Sequence, residues 1–514
     1  MNIELKEYKT ESGEIILYHG KPDLKKLELL SKGAGDVWHS SFEQGFKNAF
    51  PELVYQTAIY FWYLNDFDNL DECVSWRVNP FAFAVRKSVW QLVGGFDLDF
   101  QNPQMQAIDF GFQVIRFFGG VPLYVKDLFI ENQIQKVTIS QWDRHLFFKK
   151  NFKINHAIYM VYRVGFWKIS EWKTLLNIKN KYSQRNFTAV IPPRELAQIE
   201  GKPTVSYIIP TMLREDYTLQ LLDDLCSQTF KPSQVVIVDG TPDSQRNKDV
   251  YNLKDYPFEV IVKWQQSKGS CRARNEAIDL CTGNYIIFGD DDIRIPPDFI
   301  SNHIKFLQTY NAGACNGIDI TADNHTQDLN DLKIKREALR NKVLVSGCAL
   351  WFSNSNSCVK REFVNILIGN DVNFDGGYGE DGDFGMSLTK IGVTVLANPF
   401  SVNLHLKPPS GGYRFWGTQA KITGKKRKKQ PWELDVPVKY IRPVPSPTIM
   451  YGILKHFTPQ QLIEFKYKYF SYFLFDGNKF TFIYRFLRLP YKILQFKKSV
   501  FYAKKLKELD TRYK

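Results

Sequence analysis

Between residues 204 and 292, short apolar runs alternate with amphipathic stretches, and this alternation limits the fold more than any other feature of the chain. Residues 205–210 (VSYIIP), 234–239 (QVVIVD), 258–264 (FEVIVKW) and 284–289 (NYIIFG) read as short, mostly apolar buried strands, as suits a sheet covered on both sides. Helical spacing fills 217–228 and 271–281 between them. Alternation of this kind predicts an α/β fold, a Rossmann-like and mostly parallel sheet flanked by helices. Ligands of such sheets gather at the carboxyl ends of the strands.

With 514 residues, 44% hydrophobic and 24% charged, the chain has apolar material for roughly two to four domains. No run approaches the ~18 apolar residues of a spanning helix, and MNIELKEYKTESGE has no apolar leader segment, so a cytoplasmic address is expected. Seven scattered cysteines without CxxC spacing read as reduced thiols rather than a disulfide framework or zinc site. The net charge of +14 is uneven: residues 421–514 hold 22 Lys/Arg against 6 Asp/Glu, and the preceding 420 residues are close to neutral. Four segments follow: an aromatic-rich α+β domain at 1–150, a helical linker at 151–202, the α/β domain at 203–420 and a basic, aromatic, helical segment at 421–514.

Three carboxylates, Asp290, Asp291 and Asp292, stand directly after the fourth apolar run. Adjacent carboxylates repel unless a cation offsets them. Hard divalent ions, Mn2+ or Mg2+, take carboxylate oxygen beside substrate phosphates. An acidic turn capping the helix after Pro296-Pro297 is the competing structural explanation. The first run ends in Pro210-Thr211, the second in Asp239, and Arg274 opens a helix after Gly269. Successive strand ends thus offer a carboxylate for a base edge, a cation for a diphosphate and a metal site. Farther on, Glu380-Asp381 sits in a glycine-rich loop (GGYGEDGDFG) leading into a helix. There a carboxylate can approach a substrate closely, or simply cap the helix.

The set PTMLRE (210–215), VIVDGTPD (236–243), GSCRARNEAI (269–278), YIIFGDDDIRIPPDF (285–299) and GYGEDGDFGMSLTKIG (377–392) resembles the family 2 glycosyltransferases, which have the GT-A fold. The resemblance covers about 204–406. It implies metal-dependent, inverting transfer from a nucleotide-diphosphate sugar to a glycan or lipid-linked acceptor. It sets Pro210, Thr211, Asp239 and Arg274 around the nucleotide, Asp291 near the ribose and Asp290 and Asp292 in the metal motif. Asp381 is then the catalytic base, with Glu380 beside it, and His405 stands where some relatives supply a third metal ligand, a core or surface histidine being the competing explanation. The chain departs from the family pattern at Met212-Leu213-Arg214, where Tyr-Asn-Arg is usual, and at Gly289, where a large apolar residue is common. The run Gly411-Gly412-Tyr413-Arg414 reads as a lid or an ordinary turn, and Trp351 as core or as a sugar platform.

Residues 76–125 echo 347–396, and aligning Asp109-Phe110-Gly111 on Asp383-Phe384-Gly385 places Ala107 opposite Asp381. Alanine takes no proton, and Asp66-Phe67-Asp68 follows no strand-rich nucleotide half. This half is expected to be a degenerate GT-A-like copy that scaffolds, binds acceptor or pairs in a homo-oligomer. At the other end, KKRKK (425–429) and aromatic, basic helices suit an anionic membrane surface. No nucleic-acid motif accompanies them. The expected location is peripheral, on the inner face of the cell membrane, and the expected role is in cell-surface polysaccharide synthesis. Two other functions fit parts of the pattern. A nucleotidyltransferase would normally carry a glycine-rich loop after the first strand, which PTMLRE lacks. A non-catalytic carbohydrate-binding or scaffold protein would leave the acidic set as a relic.

Overall fold

β-Branched and aromatic runs form the central, buried strands of both sheets, and the edge strands at 6–9 and 259–264 contain no buried residue. The structure, a computed structural model, describes residues 4–40, 70–130, 139–187, 189–252, 254–266, 269–339, 344–349, 352–413, 441–475 and 478–509. The described residues cluster into two units, one holding those up to 193 together with 344–348, the other the remainder.

The first unit contains β1 (Lys6–Lys9), β2 (Ile15–His19), α1 (Leu24–Ser31), β3 (Val37–His39), β4 (Glu72–Val74), β5 (Phe83–Arg86), α2 (Lys87–Val93), α3 (Pro103–Arg116), β6 (Pro122–Val125), α4 (Gln141–Asn151), α5 (Ile154–Gly165) and α6 (Ile169–Lys181). Its sheet runs β1-β2-β5-β3-β6-β4. Phe83, Val85, Ala107, Phe110 and Val114 form the core between sheet and α3.

The second unit contains β7 (Val205–Thr211), α7 (Glu215–Cys226), β8 (Gln234–Asp239), β9 (Glu259–Trp264), α8 (Ser270–Ile278), β10 (Tyr285–Gly289), β11 (Ile293–Arg294), α9 (Phe299–Thr309), β12 (Ala314–Thr321), α10 (Leu329–Ala338), β13 (Asn356–Lys360), α11 (Arg361–Leu367), α12 (Glu380–Lys390), β14 (Val395–His405), α13 (Pro447–His456), α14 (Pro459–Phe475) and α15 (Phe482–Lys507). Its eight strands run β11-β14-β12-β13-β10-β7-β8-β9. Strands β10, β7, β8 and β9 are parallel, and every residue of β7 and β8 is buried. Strands β13 and β11 run antiparallel to their neighbours, so the parallel character is strongest in the half that the alternation foretold.

The internal echo is topological. Strand β3 pairs antiparallel with β5 and parallel with β6, and β12 pairs antiparallel with β13 and parallel with β14. In both copies a basic residue joins strand to helix, Arg86-Lys87 and Lys360-Arg361. Asp109 accepts from Asn151 at 2.8 Å and from Arg185 at 2.9 and 3.0 Å. Its counterpart Asp383 accepts from His456 Nε2 at 2.6 Å and pairs with Lys455 at 2.7 Å. Each aspartate ties its helix to a following basic segment. Ala107, counterpart of Asp381, is a buried core residue.

Candidate active site

Strand β10 stops at Gly289, and the next three residues turn at the carboxyl edge of the sheet before β11 begins. A Cβ on Gly289 would lie 2.3 Å from the Tyr207 hydroxyl of β7. Tyr207 is fully buried and takes the volume that a large apolar residue would otherwise fill, which accounts for the departure at 289. Gly289→Val is expected to lower stability by about 1–3 kcal/mol, the usual cost of overpacking, as denaturant unfolding would measure.

The pairing of β11 with β14 sets Ile293 opposite His405 and so brings His405 back to the acidic turn. Single ligand atoms from Asp290, Asp292 and His405 all lie within 4.8 Å of one another. His405 Nε2 is 3.2 Å from Asp292 Oδ1, and its Nδ1 is 3.0 Å from Asp319 Oδ2. Burial works against protonation of His405, but the flanking Asp292 and Asp319 carboxylates raise its pKa well above the ordinary value. Two carboxylates and an imidazole fit Mn2+ well, and Mg2+ through the oxygens alone.

Arg214 crosses the same turn. Its Nη1 donates to Asp291 Oδ1 at 3.0 Å and to Asp292 Oδ2 at 2.7 Å, and its Nε donates to the Ser410 carbonyl at 3.2 Å. Asp291, buried, also accepts from Thr211 Oγ1 at 2.8 Å. The repulsion expected among three adjacent carboxylates is thus met partly by protein cations, because Arg274 Nη2 donates to Asp290 Oδ1 at 2.7 Å. Arg274 is buried, and among the described residues its Nε and Nη1 find no partner. Unpaired guanidinium donors are costly without an acceptor, and a diphosphate oxygen is a suitable one.

Pro210 and Thr211 lie buried at the end of β7, opposite Val238 and Asp239 of β8. Asp239 accepts from Tyr251 Oη and from the Thr241 amide, both at 2.8 Å. Tyr413 donates toward the Thr211 carbonyl at 3.0 Å and toward Gln265 Oε1 at 2.9 Å. Gly411 and Gly412 have φ of +77° and +78°, a region glycine enters freely, and the Gly412 amide donates to the Met212 carbonyl at 2.7 Å. A Cβ at Gly411 would lie 2.4 Å from the Leu213 carbonyl oxygen, so this turn is packed against the loop after β7. Arg414, Trp351, Asp66, Asp68 and the 425–429 basic run lie outside the described residues.

Glu380 and Asp381 open α12 after Gly379, whose φ is +110°. Asp381 makes no side-chain cap; its Oδ1 accepts from Asn354 Nδ2 at 2.7 Å and from the Asn354 amide at 3.3 Å. Burial, with Glu380 and Asp290 nearby, pushes its pKa up to about 7, against the pull of Arg274. Asp381, Arg274 and the metal-motif Asp290 therefore share one electrostatic neighbourhood. Sequence reasoning missed Asp319, Asn354 and the bridging role of Arg214. Asp319 interrupts the apolar pattern of β12 (ACNGIDIT), a visible signal, but its meaning depends on register with β14.

Residues 206–349 match the family described as Glycosyl transferase family 2. That match spans less than a third of the chain and carries its likeness to the family 2 glycosyltransferases. The domain is similar to the amylovoran biosynthesis glycosyltransferase AmsB of Erwinia amylovora, at 26% identity over 216 residues, 39% of this chain and 69% of that protein. It is also similar to the UDP-Glc:alpha-D-GlcNAc-diphosphoundecaprenol beta-1,3-glucosyltransferase WfaP of Escherichia coli, at 30% identity over 20% of this chain and 41% of WfaP. The glycosyltransferase region thus spans less than half of WfaP. Among solved structures, S. aureus TarS 1–349 in complex with UDP-GlcNAc covers 60% of this chain and 83% of its own, with 16% identity and a TM-score of 0.37.

Proposed function

We propose that the chain is an inverting glycosyltransferase that moves a sugar from a nucleotide-diphosphate donor to a hydroxyl of a glycan or lipid-linked acceptor in cell-surface polysaccharide assembly. One observation carries this reading: Arg274, with two unpaired donors, is hydrogen-bonded to Asp290 of the acidic cluster and lies in the same field as Asp381. The names of WfaP, acting on a diphosphoundecaprenol-linked sugar, and of AmsB, in amylovoran biosynthesis, favour an acceptor of that class.

In this reading Thr211 and Asp239 hold the nucleoside, and Asp290, Asp292 and His405 hold Mn2+ or Mg2+. When bound, the ion supplies positive charge to the departing diphosphate. Asp381 takes the proton of the acceptor hydroxyl as that oxygen bonds the anomeric carbon from the face opposite the leaving group. The anomeric carbon–oxygen bond breaks with its electron pair remaining on the nucleoside diphosphate, for which the unpaired donors of Arg274 would be partners. Asn354 fixes the Asp381 rotamer. Asp319 orients His405 in the manner of carboxylate–histidine–metal sites; Asp319→Ala is expected to weaken Mn2+ binding about 10–100-fold, read by titration of the protein without donor.

Residues 1–150 act as a scaffold, an acceptor-binding surface or a pairing surface in a homo-oligomer, and residues 421–514 hold the enzyme peripherally on the inner face of the membrane. Incubation with a panel of UDP-, GDP- and dTDP-sugars and Mn2+, comparing wild type with Asp381→Asn, tests the assignment. Metal-dependent turnover of one donor, lost in the variant, is expected; equal turnover by both would overturn the role of Asp381.

A further inference from the structure

We infer that the end of the α14–α15 pair where Phe475 stacks on Phe482 is a docking element for an anionic lipid bilayer, joined through α13 to the helix that begins with Glu380-Asp381. The inference deepens the peripheral-membrane reading by naming the surface that makes contact. Residues 459–507 contain eleven Lys/Arg and two acidic residues. At that end, large apolar side chains face solvent: Phe475 is 71% exposed, Phe480 92%, Ile483 72% and Leu487 73%. Tyr484 and Phe486 are exposed as well. Stacking between Phe475 and Phe482, with ring centroids 5.6 Å apart, joins the last turn of α14 to the first of α15.

Exposed apolar residues scattered singly need no explanation, but a cluster at one end of a helix pair does. Cations accompany these rings. Arg488 donates to Tyr484 Oη at 3.0 Å and lies over its ring, and Lys492 lies over the Phe473 ring. An apolar protein groove would have to desolvate those cations. A bilayer surface takes the rings into its acyl boundary and leaves cations among lipid phosphates. No described helix is long and apolar enough to cross a membrane, so the pair would lie in the interface.

The link to the active site is short. Helix α13 leads into α14, and its Lys455 pairs with Asp371 at 2.6 Å and with Asp383 of α12 at 2.7 Å. His456 Nε2 reaches Asp383 at 2.6 Å, Tyr451 donates to Asp371 at 2.7 Å, and Thr448 Oγ1 accepts from the Tyr378 amide at 2.9 Å. The loop 371–378 and α12 are therefore gripped by the base of the element that carries the helix pair. Docking would fix Asp381 relative to the bilayer, as an acceptor anchored in lipid requires.

The test uses the full chain in flotation with phosphatidylcholine vesicles, with and without phosphatidylglycerol. Binding only to phosphatidylglycerol-containing vesicles, falling as salt rises, is expected. Phe480→Ser with Ile483→Ser and Leu487→Ser should weaken it about tenfold or more. Arg485→Gln with Arg488→Gln and Lys492→Gln should weaken it on the order of a hundredfold, at about fivefold per cation. Both triple variants should keep the wild-type circular dichroism spectrum and wild-type donor turnover in solution. Undiminished flotation of the serine variant would overturn the proposal, as would equal binding to both vesicle types. Loss of self-association by that variant, with no vesicle binding by wild type, would assign the surface to a second copy instead. Intact flotation without donor turnover would sink the transferase reading and leave docking standing.

Discussion

Asp381→Asn is expected to lower kcat about a thousandfold, the middle of the range for loss of a general base, while leaving donor affinity close to wild type. Asparagine keeps the shape and the contact with Asn354 but cannot take the acceptor proton. A pH profile gives the same group a second signature. In the free protein the Asp381 carboxyl sits at about 7, so kcat/KM should fall about tenfold per pH unit below that value. Bound cation offsets the Asp290 charge that helps to raise Asp381, so the inflection of kcat should lie lower than that of kcat/KM. Stability should move the opposite way from activity. The folded pKa exceeds the unfolded carboxylate value of about 3.9, so ionised Asp381 disfavours folding above pH ~7, and that penalty fades as pH falls toward 4. Asp381→Asn removes it and should stabilise the fold at pH 8 by up to about 4 kcal/mol, measurable by denaturant unfolding. A variant that is inactive and less stable would point to a structural aspartate.

Removal of divalent cation should cost about a thousandfold or more in transfer, roughly 4 kcal/mol of transition-state stabilisation, and readdition of Mn2+ should restore it. Asp292→Asn should match that loss and also weaken Mn2+ binding in the absence of donor. The second readout is needed because Asp292 also bonds Arg214 at 2.7 Å, and a purely structural effect would leave metal affinity unchanged. His405 adds a pH dependence. Asp292 and Asp319 outweigh burial and raise its pKa well above normal, so near neutrality the imidazole is protonated and must lose that proton to become a ligand. Binding of Mn2+ should therefore release a proton and tighten as pH rises, visible as a buffer-dependent heat in calorimetry.

Much of the parallel half of the second sheet was legible because local pattern and tertiary role coincide there. Strands expected at 205–210, 234–239, 258–264 and 284–289 form at 205–211, 234–239, 259–264 and 285–289. β7, β8 and nearly all of β10 are buried in a parallel sheet whose composition differs sharply from its flanks, whereas β9, at the sheet edge, has no buried residue and departs from the expectation of a covered strand. The acidic turn could be read for the same reason, since it follows a strand directly. The partners of that turn could not. Arg214 lies 77 residues before Asp291, and its bonds to Asp291 and Asp292 exist only because β7 and β10 are neighbours in the sheet. His405 meets Asp292 through a two-residue strand, β11, too short to carry a periodic signal. Asp319 joins them through the parallel register of β12 on β14, with Asp319 opposite Asn403 and Thr321 opposite His405. Antiparallel β13, between β10 and β12, was hidden because its residues, NSCVK, lack the apolar run of the parallel strands. The repeat of topology in the first unit was legible only through Asp-Phe-Gly, whose aspartate is buried in both copies by basic partners distant in sequence.

The most direct test of the shared metal–diphosphate site is titration of Mn2+ into the protein by electron paramagnetic resonance, with and without a nucleoside diphosphate, for wild type, Asp290→Asn and Asp292→Asn. A common site requires that each ligand strengthen the other by the same factor, so nucleoside diphosphate should tighten Mn2+ binding in wild type, and the coupling should vanish in both variants. Nucleoside diphosphate binding that is indifferent to Mn2+, or coupling that survives both substitutions, would contradict the account.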